Sequence, residues 1–259
     1  MANYDIFIFD GHGEGDCGAV GNGKQEHTEA KRFNDKVCEY LKPTGLSIHR
    51  NNGKNNYKNC LLAGNTYRYK FGITTHLNSS TNTTATGIEA LVPAKEKSFN
   101  LETNILSRVS KEIGLQNRGI KSRDYNTDTW YKRSNGQALN FKDWFKEIRE
   151  AWNNGISLTI LELAFISNAS DMKLFDSKFD AFAFIVAEEI ARACDKTITK
   201  PSTSSSTSTG TNTSSTTKGL YRVKGDGVNY GAFAVQENTL NAVKKAMNEN
   251  KKSIIVEKV

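Results

Sequence analysis

The sequence predicts an α/β fold: a mixed, largely parallel twisted sheet flanked by helices on both faces, followed by a small α+β C-terminal module. Three observations predict it. Strand-like and helix-like stretches alternate from Tyr4 to Cys194, the order that builds a sheet covered by helices. The stretch "ISLTILELAF" (156–165) is almost wholly apolar, as a central strand covered on both faces is. The run "KPSTSSSTSTGTNTSSTTKG", Lys200 to Gly219, is built of serine and threonine, cannot form a core, and divides a larger domain from a short tail.

The elements follow in order. "YDIFIF" is a short apolar strand. The glycine-rich "DGHGEGDCGAVGNGKQEH" comes next; glycine weakens regular structure, so this many of them implies tight turns or a close backbone approach. "HTEAKRFNDKVCEYL" places Phe33, Val37, Tyr40 and Leu41 at helical spacing. "LSIHR" reads as a short strand, "YKNCLLAGNTYRYK" as a helix, and "FGITTHLN" and "GIEALV" as strands. "NLETNILSRVSKEIG" sets Ile105, Leu106, Val109 and Ile113 on one helix face, with Gly114 marking its end. "DSKFDAFAFIVAEEIARAC" is a strong final helix. Between Lys121 and Asn154 the pattern weakens. Trp144, Ile148 and Trp152 are four apart, so part of this segment is expected to be an amphipathic helix. It holds Trp130 as well, and the three tryptophans either pack against the domain or wall a substrate cleft.

The expected divisions are a catalytic domain over 1–198, a Ser/Thr-rich linker over 199–218 and a small basic module over 219–259. From Lys218 onward the chain carries eight Lys/Arg against four Asp/Glu, so more than half of the formal net charge of +7 sits on the tail. That balance favours an anionic partner. No zinc-finger spacing, RNA-recognition aromatic motif or dense basic helix points to nucleic acid. No run approaches the roughly 18 apolar residues of a membrane span, and "MANYDIFIFD" has neither a basic start nor an apolar core, so no signal peptide is expected. Cys17, Cys38, Cys60 and Cys194 lack paired spacing and are expected to be reduced thiols.

Candidate chemistry gathers at element ends. Zinc takes imidazole nitrogen and carboxylate oxygen, and a catalytic site leaves a coordination position open. His12 follows the first strand, Glu26 opens the first long helix, and His76 ends "FGITTH". Glu29 competes with Glu26 as the carboxylate. Glu162 ends the apolar "ISLTILE", where a charge needs a reason. Each signal is weak alone; a histidine in a turn or at a strand end is more often merely hydrogen-bonded. No role is assigned to His27 or His49.

Taken together, four segments resemble the zinc-dependent N-acetylmuramoyl-L-alanine amidases of the Amidase_3 type. "FDGHGEGDCGAVGNGKQE" is similar to that family's opening, in which a Gly-His-Gly segment leads to a glutamate ligand. "TTHLNSSTNTTATGIEALV" resembles its second histidine segment, "LQNRGIK" a short family motif, and "TILELAFISNASD" the closing motif with the catalytic glutamate. Two departures stand out: Cys17 occupies a position where the family often has proline, and the segment from Ser122 to Gly155 is longer than usual.

The resemblance implies Zn2+ held by His12, Glu26 and His76, with Glu26 preferred over Glu29 because it follows "GAVGNG" at the family's distance. It implies Glu162 as the carboxylate that takes a proton from water and delivers it to the leaving nitrogen. Asn78 and Ser79 are expected either to line the site as substrate-binding hydrogen-bond donors or acceptors or to cap the loop. The implied reaction is hydrolysis of the amide between N-acetylmuramic acid and L-alanine in peptidoglycan. Catalytic domain, Ser/Thr linker and basic tail resemble an endolysin for a Gram-positive host, made in the host cytoplasm and acting at the wall after release. A host autolysin, another zinc peptidase of the wall, and a wall-binding protein with an inactive site are the alternatives. The tail stretch "YRVKGDGVNYGAFAVQENTLNAVKKAM" resembles half of a sporulation-related, peptidoglycan-binding repeat, and a fragment this short is marginal alone, so self-association or docking would help it.

Overall fold

The computed structural model describes residues 4–53 and 69–200, and the backbone of three strands between 221 and 258. The chain divides into two compact units, Met1–Pro201 and Ser202–Val259.

The larger unit is built on seven strands: β1 (Ile6–Asp10), β4 (Ile48–Arg50), β5 (Phe71–Asn78), β6 (Ile88–Leu91), β7 (Asn117–Arg123), β8 (Trp130–Lys132) and β9 (Leu158–Phe165), in spatial order β4-β1-β5-β9-β6-β7-β8. A two-stranded hairpin, β2 (Val20–Gly21) with β3 (Lys24–Gln25), stands apart. The first four strands of the sheet are parallel. β6 then runs antiparallel to β9, β7 parallel to β6, and β8 back against β7. The reversal at β9 brings the start of β6 and β7 to the sheet edge where β5 and β9 finish.

Alternation along the strands feeds two cores. In β1, Ile6 and Ile8 enter one cluster and Phe7 and Phe9 the other, all of them buried. The first cluster is closed by α1 (Glu26–Leu41) through Phe33, Val37 and Leu41, by α2 (Asn100–Arg108), and by α5 (Phe179–Ala193). Phe33 meets the rings of Phe175, Phe179 and Phe182. The second cluster is closed by α3 (Lys146–Asn153) through Ile148 and Ala151 against Phe7, Phe9, Leu158 and Ile160. Each buried Val, Leu, Ile or Phe among these stabilises the fold by about 1.5–3 kcal/mol. The sheet is therefore covered by helices on both faces.

Several boundaries differ from the expected ones. Glu162 lies inside its strand rather than at the end: β9 runs on to Phe165, as expected for "ISLTILELAF", with Leu163, Ala164 and Phe165 buried. His76 likewise lies two residues inside β5. The helix of the 122–155 segment starts after Trp144, with Phe145 as its N-cap, so only Ile148 and Trp152 share it. The final helix begins at Phe179. Asp176 and Ser177 belong to a separate helix, α4 (Ala169–Ser177), whose first amides bond the Asn168 side chain. In the 100–114 segment the α-helix passes into a π-helical turn (Val109–Ile113) closed by Gly114 at φ +96°. The four apolar residues expected on its face are all buried. The helix expected over "YKNCLLAGNTYRYK" lies outside the described residues, apart from Tyr69 and Lys70.

The smaller unit contains a three-stranded antiparallel sheet, β10 (Tyr221–Gly225), β11 (Val228–Phe233) and β12 (Ile254–Lys258), in the order β11-β10-β12. The helical part expected of this module falls outside the described residues. No helix among the described residues is long and apolar enough to cross a membrane.

Candidate metal centre

The centre begins at the end of β1. Asp10 is buried, accepting from Asn34 Nδ2 (2.8 Å), Arg50 (2.7 Å) and the Gly53 amide (3.0 Å), which fixes the strand terminus. Gly11 follows, packed so tightly that a Cβ there would lie 2.6 Å from the His76 ring. His12 then adopts a left-handed φ of +63°, a conformation uncommon outside glycine. A tight turn pairs the backbones of Gly13 and Asp16 and folds Asp16 back onto His12. At Gly18, also left-handed, a Cβ would meet His12 Cδ2 at 2.6 Å and Glu26 Oε2 at 2.7 Å. The glycines of this segment leave room for the side chains of His12, Glu26 and His76.

β2 and β3 are joined through Asn22 and Gly23, both at positive φ, the Asn-Gly signature of a tight hairpin. The hairpin delivers the chain directly into α1, of which Glu26 is the first residue. A carboxylate is favoured there by the helix dipole. Glu26 is 5% exposed. Its Oε2 accepts from the Ala19 amide at 2.8 Å, while Oε1 lies 3.2 Å from His12 Nε2 and 2.9 Å from His76 Nδ1. One ligating atom from each of His12, Glu26 and His76 falls within 4.8 Å of the others, so the three side chains form a set able to hold a metal ion. Glu29 is turned elsewhere: it accepts from Arg32 and from Lys24.

Each histidine meets a second carboxylate on its far nitrogen. His12 Nδ1 is 2.8 Å from Asp16 Oδ2, and His76 Nε2 is 3.7 Å from Glu147 Oε1. Neither Asp16 nor Glu147 was expected from the sequence. Glu147 arrives from α3, in the 122–155 segment, and only the fold brings it to His76.

The electrostatics favour positive charge at this point. The hydrogen bond to Glu26 raises His12 to about 9, against a smaller opposing effect of burial. Burial works against the charge on His76, but Glu26, Glu147 and Glu162 overcome it and raise His76 to about 9 as well. Burial opposes ionisation of Glu26, yet the two imidazoles hold its carboxyl well below the usual range.

A lateral row runs across the sheet from the centre. His76 on β5 is the register partner of Glu162 on β9, and Glu162 that of Glu89 on β6. Glu89 is buried and accepts from Arg118 Nε of β7 at 2.7 Å, from Lys121 Nζ at 2.6 Å and from Asn78 Nδ2 at 3.0 Å. Glu162 is different. Its Oε2 is closed off from solvent and has no hydrogen-bond partner among the described residues, and burial pushes its carboxyl up to about 7.

Asn78 and Ser79 make no side-chain hydrogen bond with His12, Glu26 or His76 among the described residues. They line a cavity of about 510 Å³ beside the row, with Glu89, Arg118, Lys121 and Trp130. Of the three tryptophans, Trp130 is 45% exposed and faces this cavity. Trp144 is half-buried beneath the Arg123 guanidinium and against Tyr125, and Trp152 is half-buried on α3. His49 stacks against Tyr4 and lies near Tyr69, and His27 lies 3.4 Å from the Gly11 carbonyl, so neither joins the centre. Cys17, Cys38 and Cys194 are free thiols, and Cys60 lies outside the described residues.

The family model described as N-acetylmuramoyl-L-alanine amidase matches residues 6–196. Among solved structures, the catalytic domain of CwlV, an N-acetylmuramoyl-L-alanine amidase from Bacillus (Paenibacillus) polymyxa var. colistinus, aligns with a TM-score of 0.57 and 24% identity over 74% of this chain and 98% of that one. N-acetylmuramoyl-L-alanine amidase from Clostridium difficile 630 aligns at 0.54 and 21% identity, over 74% and 97%. The catalytic domain of the CD27L endolysin, targeting Clostridia difficile, aligns at 0.52 and 17%, over 76% and 99%. These structural likenesses are likenesses of fold. No curated protein matches the chain.

Proposed function

The chain belongs to the N-acetylmuramoyl-L-alanine amidase family, and on that premise we propose that it is a zinc enzyme in which His12, Glu26 and His76 hold the metal and Glu162 is the catalytic carboxylate. The single observation that carries the reading is the convergence of the three ligating atoms within 4.8 Å.

The residues fit the ion. Two donors each about 2.0–2.1 Å from a tetrahedral zinc lie roughly 3.4 Å apart, close to the 3.2 and 2.9 Å between Glu26 Oε1 and the two imidazoles. The donor set of two imidazoles and a carboxylate is that of a catalytic zinc site with an open position. The outer carboxylates Asp16 and Glu147 suit the nitrogens left over, as partners that fix a ligating histidine's tautomer and orientation. When bound, zinc supplies a Lewis acid for the scissile carbonyl and lowers the pKa of a water to about 7.

Glu162 is the proton carrier. Its unpartnered Oε2 is able to accept a proton from the attacking water and to deliver it to the alanine nitrogen as the amide breaks. The bond cut joins the lactyl carbonyl of N-acetylmuramic acid to L-alanine, the bond that names the family.

The layout of a catalytic unit over 1–198, a Ser/Thr linker over 199–218 and a small basic unit over 219–259 supports an endolysin that lyses a Gram-positive host after release from its cytoplasm. In this reading the tail is a wall-binding module that docks on anionic wall polymer, aided by self-association.

The test is digestion of purified peptidoglycan by the zinc-loaded protein. It should release new L-alanine amino termini without new reducing sugar ends. A rise in reducing ends with no rise in amines would make the protein a glycosidase and overturn the reading.

A further inference from the structure

We propose that the cavity beside Glu89 seats the stem peptide of the substrate, its cations receiving the peptide's carboxylates, and that the glycan leaves the centre on the opposite, His12 side. This rests on the amidase reading and adds which arm of the substrate lies where.

The cavity continues the lateral row that starts at His76, so a chain held at the metal centre can extend into it without leaving the sheet edge. Its lining includes three cations, Arg118, Lys121 and Lys132, against one carboxylate, Glu89, a formal excess of two positive charges. Glu89 is the organiser of that charge. Only 4% exposed, it accepts from Arg118 Nε and Lys121 Nζ and so holds both cations in the cavity lining. Arg118 is further steadied by the Thr86 carbonyl at 3.3 Å and by the Phe165 ring 4.8 Å beneath it. Lys132 is exposed at the rim, beside Trp130. The His12 flank is opposite in sign: Asp16 bonds His12 Nδ1 and is half exposed, and Glu14 is exposed two residues away.

Substrate chemistry decides which arm fits. The lactyl carboxyl of the muramic acid is consumed in the scissile amide, and the remaining sugar groups are hydroxyls, ethers and N-acetyls. The glycan is therefore neutral. The stem peptide carries free carboxylates beyond L-alanine. An anionic arm is attracted to the Arg118 flank and repelled by the His12 flank. Arginine and lysine recognise carboxylate through charge-assisted hydrogen bonds, and the open face of Trp130 suits the apolar parts of a peptide with a polar end.

The experiment compares two soluble muropeptides: one with free stem-peptide carboxylates, the other with every carboxylate converted to a carboxamide. Zinc-loaded full-length enzyme should show a KM about ten-fold higher for the amide form, one charge-assisted hydrogen bond's worth, with kcat little changed. Lys132→Glu, at an exposed position where folding is not at stake, should narrow the difference to about three-fold. Lys121→Met should narrow it further. A glycerol-phosphate oligomer, standing for wall phosphate, should compete less well than the free tripeptide. Equal KM values for the two muropeptides, undiminished discrimination in both variants, or stronger competition by the oligomer would each overturn the proposal. Cleavage of neither muropeptide would instead overturn the amidase reading, and calorimetry of the free tripeptide against its carboxamide, which needs no turnover, would still decide the peptide's seat.

Discussion

Glu147 Oε1 stands 3.7 Å from His76 Nε2, on the side of the imidazole away from Glu26. Nε2 is closed off from solvent and makes no hydrogen bond among the described residues, so a small closure of this gap would give it a partner. Removing such an outer carboxylate typically costs 10–100-fold in metal affinity. Glu147→Ala is expected to weaken zinc binding by about that factor, measured by chelator competition, while Glu147→Gln, which still offers an oxygen, should fall between. Unchanged affinity in both would mean that the helix merely passes the site.

The proposed ligands admit a direct comparison. His12→Ala, Glu26→Ala and His76→Ala should each leave the protein short of zinc by elemental analysis and without wall hydrolysis. Glu29→Ala should keep its zinc, because Glu29 is occupied by Lys24 and Arg32. Full zinc in Glu26→Ala together with loss in Glu29→Ala would reverse the assignment.

Glu162→Gln should bind zinc and keep its near-native circular dichroism, yet lose about 10²–10⁴-fold in turnover, the range of a lost acid–base group. A rate within a few-fold of the original would remove Glu162 from the chemistry.

Asp143 predicts a pH effect on stability away from the centre. Burial pushes its carboxyl from 3.8 up to about 6, despite the Ala94 amide, Arg133 and Arg149 nearby. The folded protein then holds its proton more tightly than the unfolded chain does. Stability contributed by this group is full below about pH 4 and falls as pH rises to about 6. Asp143→Asn keeps the acceptor for the Ala94 amide and cannot ionise. Urea unfolding of the variant and the original should diverge across that window in the variant's favour, by about 2–3 kcal/mol at most. Divergence in the other direction would show that the arginines win.

Shortening the chain to end near Lys200 tests the tail. The shortened protein should fold, keep its zinc and cleave soluble muropeptides, but sediment poorly with intact walls. The attraction of the tail should weaken with salt, since the screening length falls from about 10 Å at 0.1 M to 3 Å at 1 M. Equal sedimentation of the short and full chains would rule out a targeting role.

The sheet and its long helices were legible because burial on two faces leaves long apolar runs, as in "ISLTILELAF", and burial on one face leaves the Phe33–Val37–Leu41 spacing. The two-residue strands of the β2–β3 hairpin carry no such period; the Asn22-Gly23 pair was their signal. α4 was hidden because its end runs into the helix after it, with only Lys178 between them, although Asn168 is a good capping residue. At the site, the glycines around His12 and the charge inside β9 were visible locally. Asp16 was within reach of the same reading, as an acid four residues beyond a histidine. Glu147 was not: nothing in "FKEIREAW" distinguishes it from a solvated helix charge, and its proximity to His76 is created by the packing of α3 on β9. The Arg118–Glu89–Lys121 cluster was equally silent, since it depends on strand register.

The lateral row has a metric consequence. Hydrogen-bonded strands lie about 4.8 Å apart, and β6 is the only strand between β9, with Glu162, and β7, with Arg118. The two strands are thus about 10 Å apart, and an extended peptide rising roughly 3.3 Å per residue covers that span in about three residues. For a stem peptide laid across the strands, the sheet is a ruler. Muropeptides with one or two stem residues should fall short of Arg118, and those with three or four should reach it. Such a length threshold is written in backbone spacing, so exchanging side chains can blunt it, but only adding or deleting a strand would move it.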